Sequence, residues 1–173
     1  MNPTPQESYQ RERRLAGLAA SLFVLAACTA QRVPAPSGEA AILVVHGNGA
    51  ITSACVSIDG DDFTGEDVLR RSEIEAAVEP TNPLGLLVCG LEGEGCDFPN
   101  EPCLCQCRAL GSCSYWAYFN LDPEGRWVYA VEGARLRTVQ DGDVDLWIWL
   151  DRSLPGDELP LPPPENAFES ACG

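Results

Sequence analysis

The chain has 173 residues, with 26 Asp and Glu against 11 basic residues that are all arginine, a single histidine, and a formal charge of −15 at neutral pH. Such a balance excludes nucleic acid as a partner, because phosphate binding relies on basic side chains. The missing lysine excludes Schiff-base and lysine-base chemistry, and any Ser-His or Cys-His arrangement would have to use His46.

The first 14 residues are polar and end in Arg11, Arg13 and Arg14; an apolar run from Leu15 to Ala27 follows, closed by Cys28. A basic region, a short apolar region and small residues at its exit predict an export signal. The run is shorter than the roughly 20 apolar residues that span a bilayer. Leu25-Ala26-Ala27-Cys28 resembles a bacterial lipobox, which implies lipidation of Cys28 and cleavage before it. Two or more acyl chains would hold the protein at a membrane surface, at about 0.8 kcal/mol per buried CH2. The plainer reading is an ordinary signal peptide with a chance cysteine. The expected organisation is a signal peptide at 1–27, the lipidated cysteine and a tether at 28–40, one domain at 41–152 and a Pro-rich acidic tail at 153–173. The expected location is the cell membrane, lipid-anchored and facing outside the cytoplasm.

Residues 29–40 read as a polar tether containing prolines. AILVVH, residues 41–46, predicts a strand, and the Asn48-Gly49 pair predicts a tight hairpin to a partner strand at 53–59. His46 reads as a polar residue at the end of a strand. Thr64, followed by Glu66 and Asp67, predicts a helix N-cap, with the helix running to about Arg71. Residues 74–79 are a strand or the end of that helix, and 84–90 are a further strand candidate. From Gly90 to Ser114 glycine, proline and cysteine dominate, and a structureless loop of that length argues for function or for covalent bracing. Strands follow at 114–121, 126–131 and 144–150, separated by turns at Asp122-Pro-Glu-Gly and at 141–143. Asp141-Gly-Asp143-Val-Asp145 resembles the start of a calcium loop but lacks its Gly and Glu at the later positions, so it reads as a turn. The Pro-rich tail reads as extended, with Phe168 and Cys172 placed to dock its end back on the domain. One helix against a small mixed sheet predicts an α+β fold.

There are nine cysteines. With Cys28 lipidated, eight remain: Cys55, Cys89, Cys96, Cys103, Cys105, Cys107, Cys113 and Cys172. An even number in an exported chain predicts up to four disulfides, with the pairing among 105 arrangements left open. A metal site is the weaker reading, since zinc favours Cys-x2-4-Cys pairs and the run here is Cys-x-Cys-x-Cys-x5-Cys without a nearby histidine. A thioredoxin-like redox centre would need Cys-x-x-Cys, which the chain lacks.

The last strand alternates. Val144, Leu146, Ile148 and Leu150 share one face, expected to be the core; Asp145, Trp147, Trp149 and Asp151 share the other. Trp116 and Tyr118 share a face of the 114–121 strand, Tyr115 and Phe119 share the other, and Trp127 and Tyr129 alternate in phase. Large rings opposite the expected core form either an aromatic platform for a flat ligand or a second small core beneath the Cys-rich insert and the tail.

Ser114-Tyr-Trp-Ala-Tyr-Phe-Asn, Trp127-Val-Tyr, Gly133-Ala and Val139-Gln-Asp-Gly-Asp-Val-Asp-Leu-Trp-Ile-Trp together resemble the transcobalamin-like C-terminal domain family, and AILVVHGNGAITSACVSID with Thr64-Gly-Glu-Asp-Val-Leu fits its upstream pattern. The Cys-rich insert looks like that of a bacterial lipoprotein branch. The resemblance covers roughly 41–151. It implies a β-grasp-like fold and, by analogy with the animal cobalamin carriers, a surface that caps a corrin ring; it carries over no ligand residue. The expected function is a non-catalytic lipoprotein that requires no cofactor and binds cobalamin or another flat cofactor through Tyr115, Trp116, Tyr118, Trp127, Trp147 and Trp149. An uptake transporter is its expected partner. The alternative is a structural or adhesion module engaging a protein or glycan. An enzyme ranks third, because catalytic groups other than carboxylates are nearly absent.

Overall fold

The computed structural model describes residues 37–108, 113–151 and 166–173. The expected export signal, Cys28, residues 29–36 of the expected tether and most of the Pro-rich tail lie outside the described residues. Strands β1 (Ser37–Val45) and β2 (Ile51–Asp59) form an antiparallel hairpin in register from Ser37 opposite Asp59 to Val45 opposite Ile51. The turn closes where Asn48 accepts the Ala50 amide and Gly49 takes a positive φ of 82°, a conformation that favours glycine. β1 starts four residues before the Ala41 expected from its apolar run, because the turn at 140–143 pairs with its polar beginning: Asp141 accepts the Glu39 amide and Gly142 donates to the Glu39 carbonyl.

Helix α1 (Gly65–Arg71) opens on the expected cap. Thr64 Oγ1 accepts the Asp67 amide while Asp67 Oδ2 accepts the Thr64 amide, which satisfies two groups a helix start otherwise leaves open. A helix of seven residues is too short to persist unaided. It is held by burial of Val68 and Leu69, and by Glu66, which pairs with Arg70 and Arg135. The amides of Gly65 and Glu66 also donate to the carbonyls of Arg137 and Ala134.

Strands β3 (Ala76–Glu79), β4 (Leu87–Leu91) and β5 (Glu94–Gly95) make a separate antiparallel sheet. Part of the expected irregular loop is therefore a hairpin. β6 (Ser114–Leu121), β7 (Trp127–Tyr129) and β8 (Val144–Asp151) complete the larger sheet, whose order is β2-β1-β8-β6-β7. Its last strand lies parallel beside the first, and every other pairing is antiparallel. A hairpin, a helix, and a final strand inserted parallel to the first is the β-grasp arrangement. The fold is thus α+β with a disulfide-rich region, as expected, with a second sheet and a second helix added.

The second helix, α2 (Ala167–Cys172), lies on the larger sheet. It covers the face bearing Ala41, Leu43, Val45, Leu146 and Ile148. The opposite face, with Ile42, Val44, Trp116, Tyr118 and Trp147, packs against α1 and the smaller sheet in the larger core. This corrects the expected polarity of the sheet. The aliphatic stripe of β8 faces the lesser core, and the tryptophan stripe faces the greater one. β1 is apolar on both faces, so both need cover, and α1 with the β3–β5 sheet supplies more surface than six residues of α2.

All eight cysteines among the described residues form disulfides: Cys55–Cys172, Cys89–Cys103, Cys96–Cys105 and Cys107–Cys113. The first ties α2 to β2. The next two fold the insert back onto β4 and the segment after β5, around a small cluster completed by Phe98 and Leu87. The fourth closes a short loop within the insert.

Candidate ligand-binding cleft

In the register of β6 and β8, Tyr118 stands opposite Trp147 and Trp116 opposite Trp149. The first pair stacks with centroids 4.5 Å apart and planes 20° from parallel; the second lies at 5.3 Å and 57°. Beside these rings runs a cleft of about 830 Å³, within the usual range for small-molecule sites. Tyr115, Trp116, Tyr118, Tyr129 and Trp147 line it from the larger sheet. Leu86, Val88, Leu104 and the Cys107 and Cys113 residues line it from the smaller sheet and the insert. Arg108, Glu132 and Asn82 add polar groups. Apolar side chains stand open at its margin: Leu84 is 72% exposed and Val131 93%.

Four of the six residues expected to touch a ligand therefore line one cavity. They are not a flat platform: Trp116, Tyr118 and Trp147 are 3%, 6% and 2% exposed, so they also belong to the core. Trp127 and Trp149 are not among the lining residues. Trp127 faces the lesser core with Tyr115 and Phe119, and Trp149 packs against Trp116 in the greater one. Tyr129, half exposed and edge-on to Phe119, joins the lining although only its phase had been noted. Leu84 and Val131, placed by the sequence at the ends of candidate strands 84–90 and 126–131, lie outside the observed β4 and β7.

Beneath the rings sits a buried polar group. Asp145 is 1% exposed; its Oδ1 lies 2.8 Å from Arg137 Nη1 and accepts from Asn120 Nδ2 at 3.3 Å. Burial pushes its carboxyl up to about 6 against the pull of Arg137. Burial, with the nearby Asp145 charge, also raises the Tyr118 phenol. The Tyr118 hydroxyl, Asp145 Oδ2 and Trp147 Nε1 have no aligned hydrogen-bond partner among the described residues.

His46 is not an idle strand-end residue. Its Nδ1 lies 2.8 Å from Glu94 Oε2 and its Nε2 3.0 Å from Glu92 Oε2. Two cysteine–glutamate groups are compact enough for a metal, Glu39 with Cys55 and Cys172, and Glu101 with Cys96 and Cys105. In both, the two sulfurs are bonded to each other, so neither presents a thiolate.

No family model matches the chain, and no curated protein matches it. Among solved structures it is similar to the 1.30 Å crystal structure of a protein from Ruminococcus gnavus ATCC 29149 described as a candidate metal binding protein. The two share 17% identity over 66% of this chain and 97% of that one, with a TM-score of 0.42, too distant a likeness to transfer a ligand.

Proposed function

We propose that this chain is a lipid-anchored extracytoplasmic protein whose aromatic cleft holds a flat small molecule without transforming it. The observation that carries this reading is the cleft itself, a concave space with Trp116, Tyr118 and Trp147 among its lining on one side, aliphatic groups on the other and open apolar residues at its margin. Rings offer large contact area and a stacking surface. A concave cavity favours a small guest over the flat contact expected of an adhesion module. Both nitrogens of the only histidine are engaged by carboxylates, which favours binding over catalysis. The resemblance to the transcobalamin-like C-terminal domain family names cobalamin as the first ligand to try and an uptake transporter as the partner that would receive it. The eight bonded cysteines favour an oxidising compartment.

Calorimetric titration of the protein with cyanocobalamin tests the ligand. Saturable binding at micromolar concentrations supports it, and no heat above dilution removes cobalamin. Intact-mass analysis of the membrane fraction tests the anchor: an acylated chain beginning at Cys28 supports it, and an unmodified Cys28 refutes it.

A further inference from the structure

Trp116 takes part in two structures at once. Its ring lines the cleft, and the same ring meets the His46 imidazole edge-on, with centroids 5.6 Å apart and planes at 88°. Its indole nitrogen donates to the Glu94 carbonyl at 3.0 Å. The Glu94 carboxylate in turn accepts the Gly47 amide at 3.2 Å as well as the His46 ring. His46 thus joins the end of β1 to the β4–β5 hairpin, one sheet to the other, around Trp116.

The contacts favour one charge state. A neutral imidazole carries one N–H, so one of its two nitrogens would turn a lone pair toward a carboxylate. Only the imidazolium donates to Glu92 and Glu94 together. Glu92 sits in the tight turn of the hairpin with a φ of 46°, in the left-handed region that a residue with a side chain seldom adopts. Its bonds to His46 and Thr52 hold it there. The other charged groups on that side, Glu75, Asp97 and Glu101, share a small hollow with Glu92 and Glu94 and are all acidic. From β6 the imidazole meets the Trp116 ring.

We propose that His46 is a positioning residue for the cleft: as an imidazolium it clamps the β4–β5 hairpin to the end of β1 and fixes Trp116, and on losing its proton it releases both. Burial of the ring opposes the charge, and the hydrogen bonds and charges of Glu92 and Glu94 more than offset it, so His46 titrates above its ordinary 6.5. A group whose pKa is raised by folding holds its contribution fully below the unfolded value and loses it as pH rises through the folded one. The clamp is closed on the acid side. Glu92 is held below the usual carboxylate range, chiefly by Thr52 and then by His46, so it stays charged where His46 titrates.

The clamp goes beyond the ligand reading and is read without a ligand. The measurement is an NMR pH titration of the whole chain that follows the lone His46 ring and the Trp116 indole N–H together. The expected result is a His46 midpoint above 6.5, with the Trp116 indole signal moving at the same midpoint and its hydrogen exchange accelerating above it. Glu94→Gln keeps an acceptor but removes the charge, and should lower that midpoint. His46→Gln should leave the Trp116 signal indifferent to pH over this range. A Trp116 signal that ignores the His46 midpoint, or a midpoint unmoved in E94Q, overturns the clamp. Cyanocobalamin separates the two proposals. Weaker binding above the midpoint than below supports the clamp's hold on the cleft, and equal binding overturns that hold. Failure to bind at any pH removes the ligand reading, and the Trp116 titration then decides the clamp alone.

Discussion

Removing the Cys55–Cys172 bridge, as the C55S/C172S double variant, perturbs the fold at its one long-range covalent link. The partners are 117 residues apart in sequence. In the chain-entropy view, closing a loop that long restricts the unfolded ensemble by about 5 kcal/mol. The dependence is logarithmic, so the three shorter bridges inside the loop barely reduce it. A second effect adds to the first. α2 has six residues and meets the sheet through Ala167, Phe168, Ala171 and Cys172. Such a helix does not persist alone, and once detached it uncovers Ala41, Leu43 and Leu146, which are at most 1% exposed in the fold. Measured disulfide effects often fall short of the entropic value, so the expected loss is about 3–5 kcal/mol. Urea unfolding measures it, and hydrogen exchange should rise first in α2 and along β1 and β2. A double variant within about 0.5 kcal/mol of the parent, the range of an ordinary surface substitution, would refute the reasoning and show that α2 does not close this face.

Two other substitutions follow from the local chemistry. Thr64→Ala removes one half of the capping box on a seven-residue helix and should cost about 1 kcal/mol in urea unfolding, with the cleft's ligand affinity unchanged. Asp145 holds its proton more tightly in the fold, with a pKa of about 6 against 3.8 for the free group. The native state then binds more protons than the unfolded chain between those values, so this residue makes stability fall as pH rises from about 4 to about 6, by at most roughly 3 kcal/mol. Asp145→Asn should flatten that fall when urea midpoints are compared at the two ends of the range. Glu66 and Glu92, whose pKa values are lowered, act in the opposite sense, so the difference between variant and parent is the quantity to read.

Local signals in the sequence were reliable where the chain interacts with its near neighbours. Asn48-Gly49 closes the hairpin, Thr64 caps its helix, and the alternation over 144–150 is a strand whose faces are as read. What alternation could not supply was the identity of the cover. The choice between the two faces of β8 depends on α1, β3–β5 and α2, all remote in sequence; the large rings, read as either a platform or a second small core, in fact fill the greater core. Trp116, Tyr118 and Trp147 were legible as a group on a shared face. The cavity they line was not, because its other wall comes from loop residues such as Leu84, Leu104 and Val131. His46 reads only as a strand-end residue because its partners, Glu92 and Glu94, lie 46 and 48 residues away. The pairing of eight cysteines is a three-dimensional fact that spacing leaves open.

The central claim is that the aromatic cleft is where this protein holds its guest. Val131 lines the cleft and is 93% exposed, so a charge placed there costs little folding energy but must be desolvated when a ligand seats. Calorimetric titration of Val131→Asp with cyanocobalamin, beside a thermal melt, is the most direct measurement. The account predicts a melt like the parent's with binding lost or strongly weakened; full parental affinity in the folded variant would contradict it.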